Sequence, residues 1–415
     1  LDNGSMMCWG DDVFGQLGNG ATTTIEQDEP VYVNLPTGRT AVGLSLGWAH
    51  VCAILDTGSL MCWGAGADGR LGNGEGTNQF SPVSVDLPYG RTAVAVDAGE
   101  RHTCAILDTG SLMCWGRDHR GQLGDGAPYS NQNSPVFVEL PTGRTAVSIV
   151  AGKEHSCALL DNRSVMCWGL GSSGQLGNGA TNVMKNPVPV YVDLPIGRDA
   201  IMISAAYQHT CAVLDNSSTY CWGVDNKGQL GNGATTTDTQ SSPVYVNLSV
   251  GRNPASISPS AASFHTCAIL DNASMECWGY NSLGQLGDGG AGANQFSPVS
   301  VSGNYTWDNT TNLVSSTLRL VQNVPMSSLV PTFDAGFGAP TSCGHTGLPA
   351  GLLLSNTCVL TGTPTTLGNT TLTITPSNAA GSGLSVSLVV YVQEQAPHIS
   401  YANSPFTFTK NTEVV

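Results

Sequence analysis

Charge is scarce in this chain of 415 residues: 11% are Asp, Glu, Lys or Arg, and the basic side chains number 15 against 30 acidic ones. The resulting net charge of −15 repels phosphate backbones and argues against nucleic acid as a partner. Long apolar runs are missing too. No uninterrupted run reaches the roughly 18 residues that a bilayer-spanning helix requires, so no membrane insertion is expected of this segment. No basic-then-apolar leader stands at Leu1. The ingredients of a catalytic centre are present but not gathered, because Ser, His and Asp recur at repeat spacing. No pair of carboxylates stands out for glycoside chemistry. The expectation is a protein that is not an enzyme, with no catalytic residues, no cofactor and no metal.

What is abundant is glycine, with 51 residues and no every-third spacing, so the excess belongs to turns. Cysteine is the more informative residue. Ten of the 13 form five equally spaced pairs: Cys52/Cys62, Cys104/Cys114, Cys157/Cys167, Cys211/Cys221 and Cys267/Cys277. A three-residue hairpin loop at Asp56, Thr57 and Gly58, with Gly58 left-handed, pairs Ile54 with Leu60, Ala53 with Met61 and Cys52 with Cys62. Cysteines facing each other at a non-hydrogen-bonded position, about 4.5 Å apart at Cα, lie within reach of a disulfide. Each closure would contribute roughly 2.5–3 kcal/mol. Zinc sites favour two to four residues between paired cysteines, and here nine intervene. Five disulfides predict an oxidising, extracellular or cell-surface location. Cys8 has no partner ten residues before it.

The triplet Cys-Trp-Gly starts at positions 8, 62, 114, 167, 221 and 277, a period of 52 to 56 residues. Such a period marks a propeller or another repeat array. Four strand-like pieces recur in each unit, first as Val31 to Val33, Val42 to Leu46, Val51 to Leu55 and Leu60 to Trp63. Four short antiparallel strands make a propeller blade. The turn Gly15-Gln16-Leu17-Gly18-Asn19-Gly20 and its counterparts lack the Lys and the strand-to-helix setting of a phosphate loop. Its glycines serve positive φ, and Leu17 plugs the space between blades. Grouped from the Pro-Val strand to the Cys-Trp-Gly strand, blades are expected at about 30–64, 82–116, 135–169, 187–223 and 243–279. Single strands at 5–9 and 298–302 are left over as halves of a closing blade without its middle strands. This predicts about 25 further upstream residues for six blades or about 80 for seven, or strands supplied by another subunit.

Trp-Gly, Gly-Gln-Leu-Gly-Asn-Gly, Ser-Pro-Val and Gly-x-x-His-Thr-Cys-Ala-Ile-Leu-Asp, in that order, resemble the regulator-of-chromosome-condensation repeat over residues 1 to about 302. The resemblance implies an all-β chain with a propeller of six or seven four-stranded blades whose N-terminal part is missing. Ultraviolet-sensing relatives use tryptophans at the second position of Gly-x-x-His, held here by Trp48, Glu100, Lys153, Tyr207 and Phe264. Secreted relatives act as protein inhibitors through loops on one face. The organisation read from the chain is a propeller at 1–302, a polar linker at 303–317, an Ig-like β-sandwich at 318–395 and the start of a further Ig-like domain at 396–415. Leu-Pro-Ala-Gly-Leu, Thr-Gly-Thr-Pro and Asn-Ala-Ala-Gly-Ser carry the Ig-like resemblance, with Cys343 and Cys358 as a sixth disulfide and Asp334, His345 and Cys358 as a disfavoured metal trio.

Five histidines, His50, His102, His155, His209 and His265, stand two residues before the first cysteine of a pair. A ring of metal ligands is one reading; the favoured one is that each imidazole bonds the backbone of a neighbouring blade. Eight Asn-x-Ser/Thr sequons, at Asn3, Asn162, Asn216, Asn247, Asn272, Asn304, Asn309 and Asn369, are candidate glycosylation sites. Together these features predict an extracellular structural or adhesive glycoprotein, such as the protomer of a surface filament or flagellar hair, whose partners are copies of itself or other extracellular proteins. The alternative is a secreted recognition module that binds a protein or glycan through a propeller face, for which Tyr207, Phe264 and Tyr280 are hints.

Overall fold

The computed structural model describes residues 5–21, 26–127, 129–180, 183–234, 238–259, 264–272, 274–288, 290, 292–301, 316–329, 342–378, 381–382 and 386–393. The chain divides into two compact units, Leu1–Ser302 and Gly303–Val415. The linker expected at 303–317 and the further domain expected at 396–415 lie almost wholly or wholly outside the described residues.

The first unit is built of four-stranded antiparallel meanders, each with the form of a propeller blade. The first blade comprises Ala41–Leu46, His50–Leu55, Leu60–Gly64 and Gln79–Ser84. The second comprises Ala93–Ala98, His102–Leu107, Leu112–Gly116 and Gln132–Phe137. The third comprises Ala146–Ala151, His155–Leu160, Val165–Gly171 and Val183–Tyr191. Ala200–Ala205, His209–Leu214, Thr219–Gly223 and Gln240–Tyr245 form the fourth. Pro254–Pro259, His265–Leu270, Met275–Gly279 and Gln295–Ser300 form the fifth. Before them, Met7–Gly10 pairs with Gln27–Tyr32 in a sheet of two strands, where Cys8 faces Val31.

This grouping corrects the one expected from sequence. The Pro-Val strand joins the Cys-Trp-Gly strand before it, with Cys62 opposite Val83, and not the blade after it. Residues 295–300 therefore complete the fifth blade, and no half-blade is left over there. Chain order alone is ambiguous here, because a repeat can be cut at any of its loops; hydrogen bonding decides the cut.

The central hairpin has the register that its turn chemistry dictates. Cys52 faces Cys62, Ala53 faces Met61, and Ile54 faces Leu60. Gly58 takes φ of 77° and closes the turn through its N–H to Leu55 O at 2.8 Å. The other four hairpins repeat the register: Cys104 faces Cys114, Cys157 faces Cys167, Cys211 faces Cys221 and Cys267 faces Cys277. In all five the Cα atoms stand 4.0–4.1 Å apart, which corrects the separation of about 4.5 Å expected for such a pair. His50–Leu55 and Leu60–Gly64 are buried at every position. They read as near-continuous apolar runs because neighbouring blades cover both faces, which removes the in-out alternation of a half-exposed strand.

Blades meet through repeated apolar clusters. Between the second and third, Cys104, Cys114, Ile106, Leu112 and Leu123 pack on Ile149, Ala158 and Trp168. Leu123 is the leucine of the Gly-Gln-Leu-Gly turn and is fully buried, as are Leu71 and Leu230 at equivalent places. The indoles of Trp63, Trp115, Trp168, Trp222 and Trp278 are also fully buried. The glycine after each leucine is obligatory. A Cβ on Gly124 would lie 2.7 Å from Trp168 Nε1, and its φ of 71° disfavours any side chain.

In the second unit the described strands form two sheets, one of Ser316–Val321, Val386–Gln393, Gly368–Asn378 and Ser342–Thr346 with the short Gly381–Ser382 paired to Gly368–Asn378, the other of Met326–Leu329, Leu360–Gly362 and Leu352–Leu354. Leu320, Leu352, Leu360, Leu372, Ile374, Val390 and Val392 fill the space between them, with the two-residue period of sandwich strands. Cys343 and Cys358 adjoin that core, 5.4 Å apart at Cα. Asp334, of the disfavoured metal trio, lies outside the described residues.

Candidate functional site

Each blade's first and second strands are joined by a Gly-x-x-His turn or its variant. In the first, Gly47 N–H bonds His50 O at 2.9 Å, and the same bond closes the turns at Gly99 and Gly152. The histidine folds inward. A Cβ on Gly47 would sit 2.2 Å from His50 Cε1 and 2.6 Å from Gly99 O, so the turn's glycine makes room for its own imidazole and for the next blade.

The imidazoles of His50, His102, His155 and His209 meet hydroxyls one blade on, where backbone acceptors were expected from sequence. His50 Nε2 lies 2.8 Å from Thr103 Oγ1, His102 Nε2 2.8 Å from Ser156 Oγ, His155 Nε2 2.9 Å from Thr210 Oγ1 and His209 Nε2 2.7 Å from Thr266 Oγ1. Thr103, Ser156 and Thr266 donate in turn to the carbonyls of Arg70, Gln122 and Gln229 in the preceding turn. The same carbonyls accept the indole N–H of Trp115, Trp168 and Trp278. A hydroxyl that donates to a carbonyl must accept from the imidazole, which fixes the proton on Nε2. Burial pushes His50, His102 and His209 down to about 3 and His155 to about 4, so all four stay neutral. With each Nε2 engaged by a hydroxyl, these atoms do not converge on a common centre.

In these turns Trp48 is exposed, Ala49 is buried, and Glu100, Arg101, Lys153, Glu154, Tyr207, Gln208 and Phe264 are half-buried, and there the repeat varies. Phe14 and Trp48 stack with centroids 6.3 Å apart, and the Arg101 guanidinium lies 5.6 Å from the Trp48 ring. Arg101 pairs with Asp68 at 3.6 Å and with Glu100 at 3.4 Å. Glu100 reaches Lys153 at 3.8 Å. Lys153 hydrogen-bonds the Tyr207 hydroxyl with its ammonium 4.2 Å from that ring, and Tyr207 packs edge-on against Phe264 at 5.0 Å. Beside this line, Glu154 holds Arg117 at 3.9 Å and Arg120 at 3.5 Å. Aromatic and charged side chains thus run unbroken from blade to blade across one surface, a composition typical of protein-binding patches.

Sequence reading singled out Tyr207 and Phe264, which meet, and Tyr280, which instead lies 5.7 Å from the Lys227 ammonium. Phe264, directly before His265, stands at the turn position of Arg101 and not at that of Trp48. Sequence reading missed Arg101, Asp68, Glu154, Arg117 and Arg120. Their signal was available as departure from the repeat: Ala49, Gln208 and Phe264 hold the place of Arg101 and Glu154 in the other blades.

Asn162, Asn216, Asn247, Asn272 and Asn369 are exposed, while Asn3, Asn304 and Asn309 lie outside the described residues. At the hairpin tips, Asn162 and Asn216 accept from the backbone N–H of Ser164 and Ser218 at 3.2 and 3.1 Å. Thr57 and Thr109 accept likewise from Ser59 and Ser111 at 3.4 and 3.3 Å. Turn chemistry therefore accounts for an Asn or Thr followed two residues later by Ser, independently of any modification.

The blades and this surface define the class: a non-catalytic repeat propeller with a varied face. Residues 1–317 match the RCC1-like domain family, and the chain belongs to it. Residues 308–393 match the family described as "Putative Ig domain". The ultraviolet-B receptor UVR8 of Arabidopsis thaliana is 29% identical over 303 residues, covering 72% of this chain and 67% of the receptor. The E3 ubiquitin-protein ligase HERC2 of Homo sapiens is 30% identical over 236 residues, covering 56% of this chain and only 5% of the ligase. The structure of Kap60 bound to yeast RCC1 aligns with a TM-score of 0.63 at 19% identity, over 74% of this chain and 72% of that one. Prp20p of Saccharomyces cerevisiae, described with its binding properties to Gsp1p and histones, aligns equally well, with a TM-score of 0.63 at 19% identity over 74% of each chain.

These relatives overturn the expected extracellular structural role. A receptor, ubiquitin ligases and a Kap60-bound propeller are not secreted adhesive or filament proteins, so the location, the filament role and the extracellular or glycan partners read from sequence are corrected. The physical reason lies in the cysteines. The compartment was inferred from the spacing of Cys52/Cys62, Cys104/Cys114, Cys157/Cys167, Cys211/Cys221 and Cys267/Cys277, and that spacing has a local cause: the hairpin register sets each pair face to face. Cys62, Cys114, Cys167, Cys221 and Cys277, from the Cys-Trp-Gly strands, are all wholly or almost wholly buried between blades. So are Cys52, Cys104, Cys157 and Cys211, and Cys267 is half-buried. A small buried sulfur side chain suits these positions as core packing. Spacing of ten residues therefore reports the register and does not report a compartment.

Proposed function

We propose that the propeller is a protein-recognition module that engages its partner through the Gly-x-x-His surface. The observation that carries this reading is the contrast within each turn. The inward histidine repeats from blade to blade, whereas the exposed and half-buried residues beside it differ and join into one line from Trp48 through Arg101, Glu100 and Lys153 to Tyr207 and Phe264. A face that served packing alone would repeat with the packing. Half-exposed aromatics stacked on cations are the side chains that dominate binding energy at protein interfaces. Membership of a family that includes a receptor, and a fold shared with a Kap60-bound protein, supports the same reading.

The test is affinity capture with the full chain beside Trp48→Ala and Tyr207→Ala variants, each checked for unchanged thermal unfolding. Both variants should lose a common set of captured proteins by at least about tenfold, the scale of an interface hot spot. Identical capture by all three proteins would sink the reading.

A further inference from the structure

At the edge of the recognition surface, Arg117, His119, Arg120, Tyr129 and Lys185 line a cleft of about 390 Å³. We propose that this cleft binds the phosphoryl group of a phosphorylated segment in the protein partner, an inference that rests on the recognition reading above.

The cleft exists because two blades break the repeat at adjoining places. In the turn after the second blade's third strand, the residues between Gly116 and Gly121 are Arg117-Asp118-His119-Arg120, the only such turn with two arginines. In the third blade, Val165–Gly171 and Val183–Tyr191 are longer than their counterparts, and Asn186 occupies the register position that Gln79 and Gln132 hold in the first two blades. Lys185 therefore stands where Asn78 and Asn131 stand. Those asparagines accept backbone N–H groups, from Gly66 at 3.1 Å and Asp118 at 3.1 Å. Lysine cannot accept, and its ammonium instead lies 4.4 Å from the Tyr129 ring.

The walls are fixed to each other. Asn186 N–H donates to Arg120 O at 3.0 Å and Gly126 N–H to Pro187 O at 3.0 Å, which locks the third blade's strand against the second blade's turn. Lys185 and Arg120 are held together by backbone, not by chance side-chain placement.

The charge balance points to a dianion. Arg117, Arg120 and Lys185 line the cleft, and among the described residues Glu154 is the one carboxylate within ion-pair distance of them, which leaves a surplus of two positive charges in a chain whose net charge is −15. Asp118 does not cancel it, being fully buried with Oδ1 accepting from Leu123 N–H at 3.0 Å. Arg117 Nε has no hydrogen-bond partner among the described residues. By contrast Arg39, Arg91, Arg144, Arg198 and Arg252 each pair with an aspartate in their own blade. A phosphoryl group carries about −1.5 to −2 charges at neutral pH and suits the forked guanidinium.

The test titrates the full chain, at low ionic strength, with a labelled peptide of one phosphoserine flanked by glycines, read by fluorescence anisotropy. The same peptide with serine and with glutamate, and inorganic phosphate as competitor, complete the set. The phosphopeptide should bind saturably and at least about tenfold more tightly than the serine form, with phosphate competing. Lys185→Glu and Tyr129→Ala, both at exposed positions, should weaken it about tenfold or more, while Lys227→Glu, which removes a cation stacked elsewhere, should not. Equal binding of phosphorylated and serine peptides, or equal losses from Lys185→Glu and Lys227→Glu, overturns the proposal, as does tighter binding of the glutamate peptide. If the phosphopeptide fails while Trp48→Ala still loses capture, the cleft inference falls alone. If it binds at the cleft while capture never depends on Trp48, the recognition reading falls instead.

Discussion

His102 Nε2 and Ser156 Oγ meet at 2.8 Å across the boundary between the second and third blades. The serine donates its own proton to Gln122 O, at 2.9 Å, in the turn that also receives Trp168 Nε1 at 2.9 Å. Replacing Ser156 by Ala removes the acceptor of a buried N–H and one of two donors to that carbonyl. We expect a loss of about 1–3 kcal/mol in unfolding free energy, measured by urea denaturation, against under about 1 for Ser156→Thr, which keeps the hydroxyl.

Protonation should break this link. The folded value of about 3 for His102 lies below the unfolded value of 6.5, so its contribution is complete above 6.5 and is lost as pH falls toward 3. His102→Gln keeps a side-chain N–H donor that does not titrate. Relative to that variant, the parent protein should lose about 1.4 kcal/mol per pH unit below 6.5.

Three aspartates act in the opposite sense. Burial raises Asp97 to about 6, Asp118 to about 7 and Asp225 to about 6. Their folded values exceed the unfolded 3.8, so stability present below that value is lost as pH rises toward 6 or 7. Asn281, at the place of Asp118, suggests the remedy: its Oδ1 accepts from Leu286 N–H at 3.1 Å while its amide donates to Asp288 at 3.2 Å. Asp118→Asn should raise the melting temperature at pH 8 and leave it unchanged near pH 3. Because four histidines and three aspartates oppose one another between about 4 and 6, the parent's melting temperature should be nearly flat there and fall steeply only below about 4.

Glycine positions separate two costs. Gly143 has φ of 80° and open space around its Cβ direction, so Gly143→Ala should cost only the left-handed penalty of about 1–2 kcal/mol. Gly124→Ala adds the collision with Trp168 and should cost clearly more in the same urea titration.

Alkylation of the denatured chain before reduction counts the thiols. With Cys52/Cys62, Cys104/Cys114, Cys157/Cys167, Cys211/Cys221, Cys267/Cys277 and Cys343/Cys358 bridged, only Cys8 should be modified. Modification of all 13 cysteines would show that the hairpins stand on register and packing alone.

The hairpin of each blade was legible in the sequence because it is local: a three-residue turn, Asp-Thr-Gly in the first two blades and Asp-Asn-x in the other three, sets the register, and register sets which cysteines face each other. Blade boundaries were not, since the choice between the strands before and after a loop depends on pairing over long separations. The histidines were visible as a set, but their acceptor is the residue after the next blade's histidine, a relation hidden until the blades stack. For the recognition surface, the aromatic residues drew notice while the charged ones did not. Arg101 and Lys153 look like ordinary surface residues until Trp48 and Tyr207 are found beneath them. Location was misread because buried paired cysteines were taken to record an environment when they record a strand register.

The carbonyls of Arg70, Gln122 and Gln229 each await donors from the blade that follows in the chain, and none of these bonds runs backwards. The stack therefore has a polarity. During synthesis from the N-terminus, every newly emerged blade meets a docking edge that is already complete, whereas refolding of the whole chain from denaturant enjoys no such order.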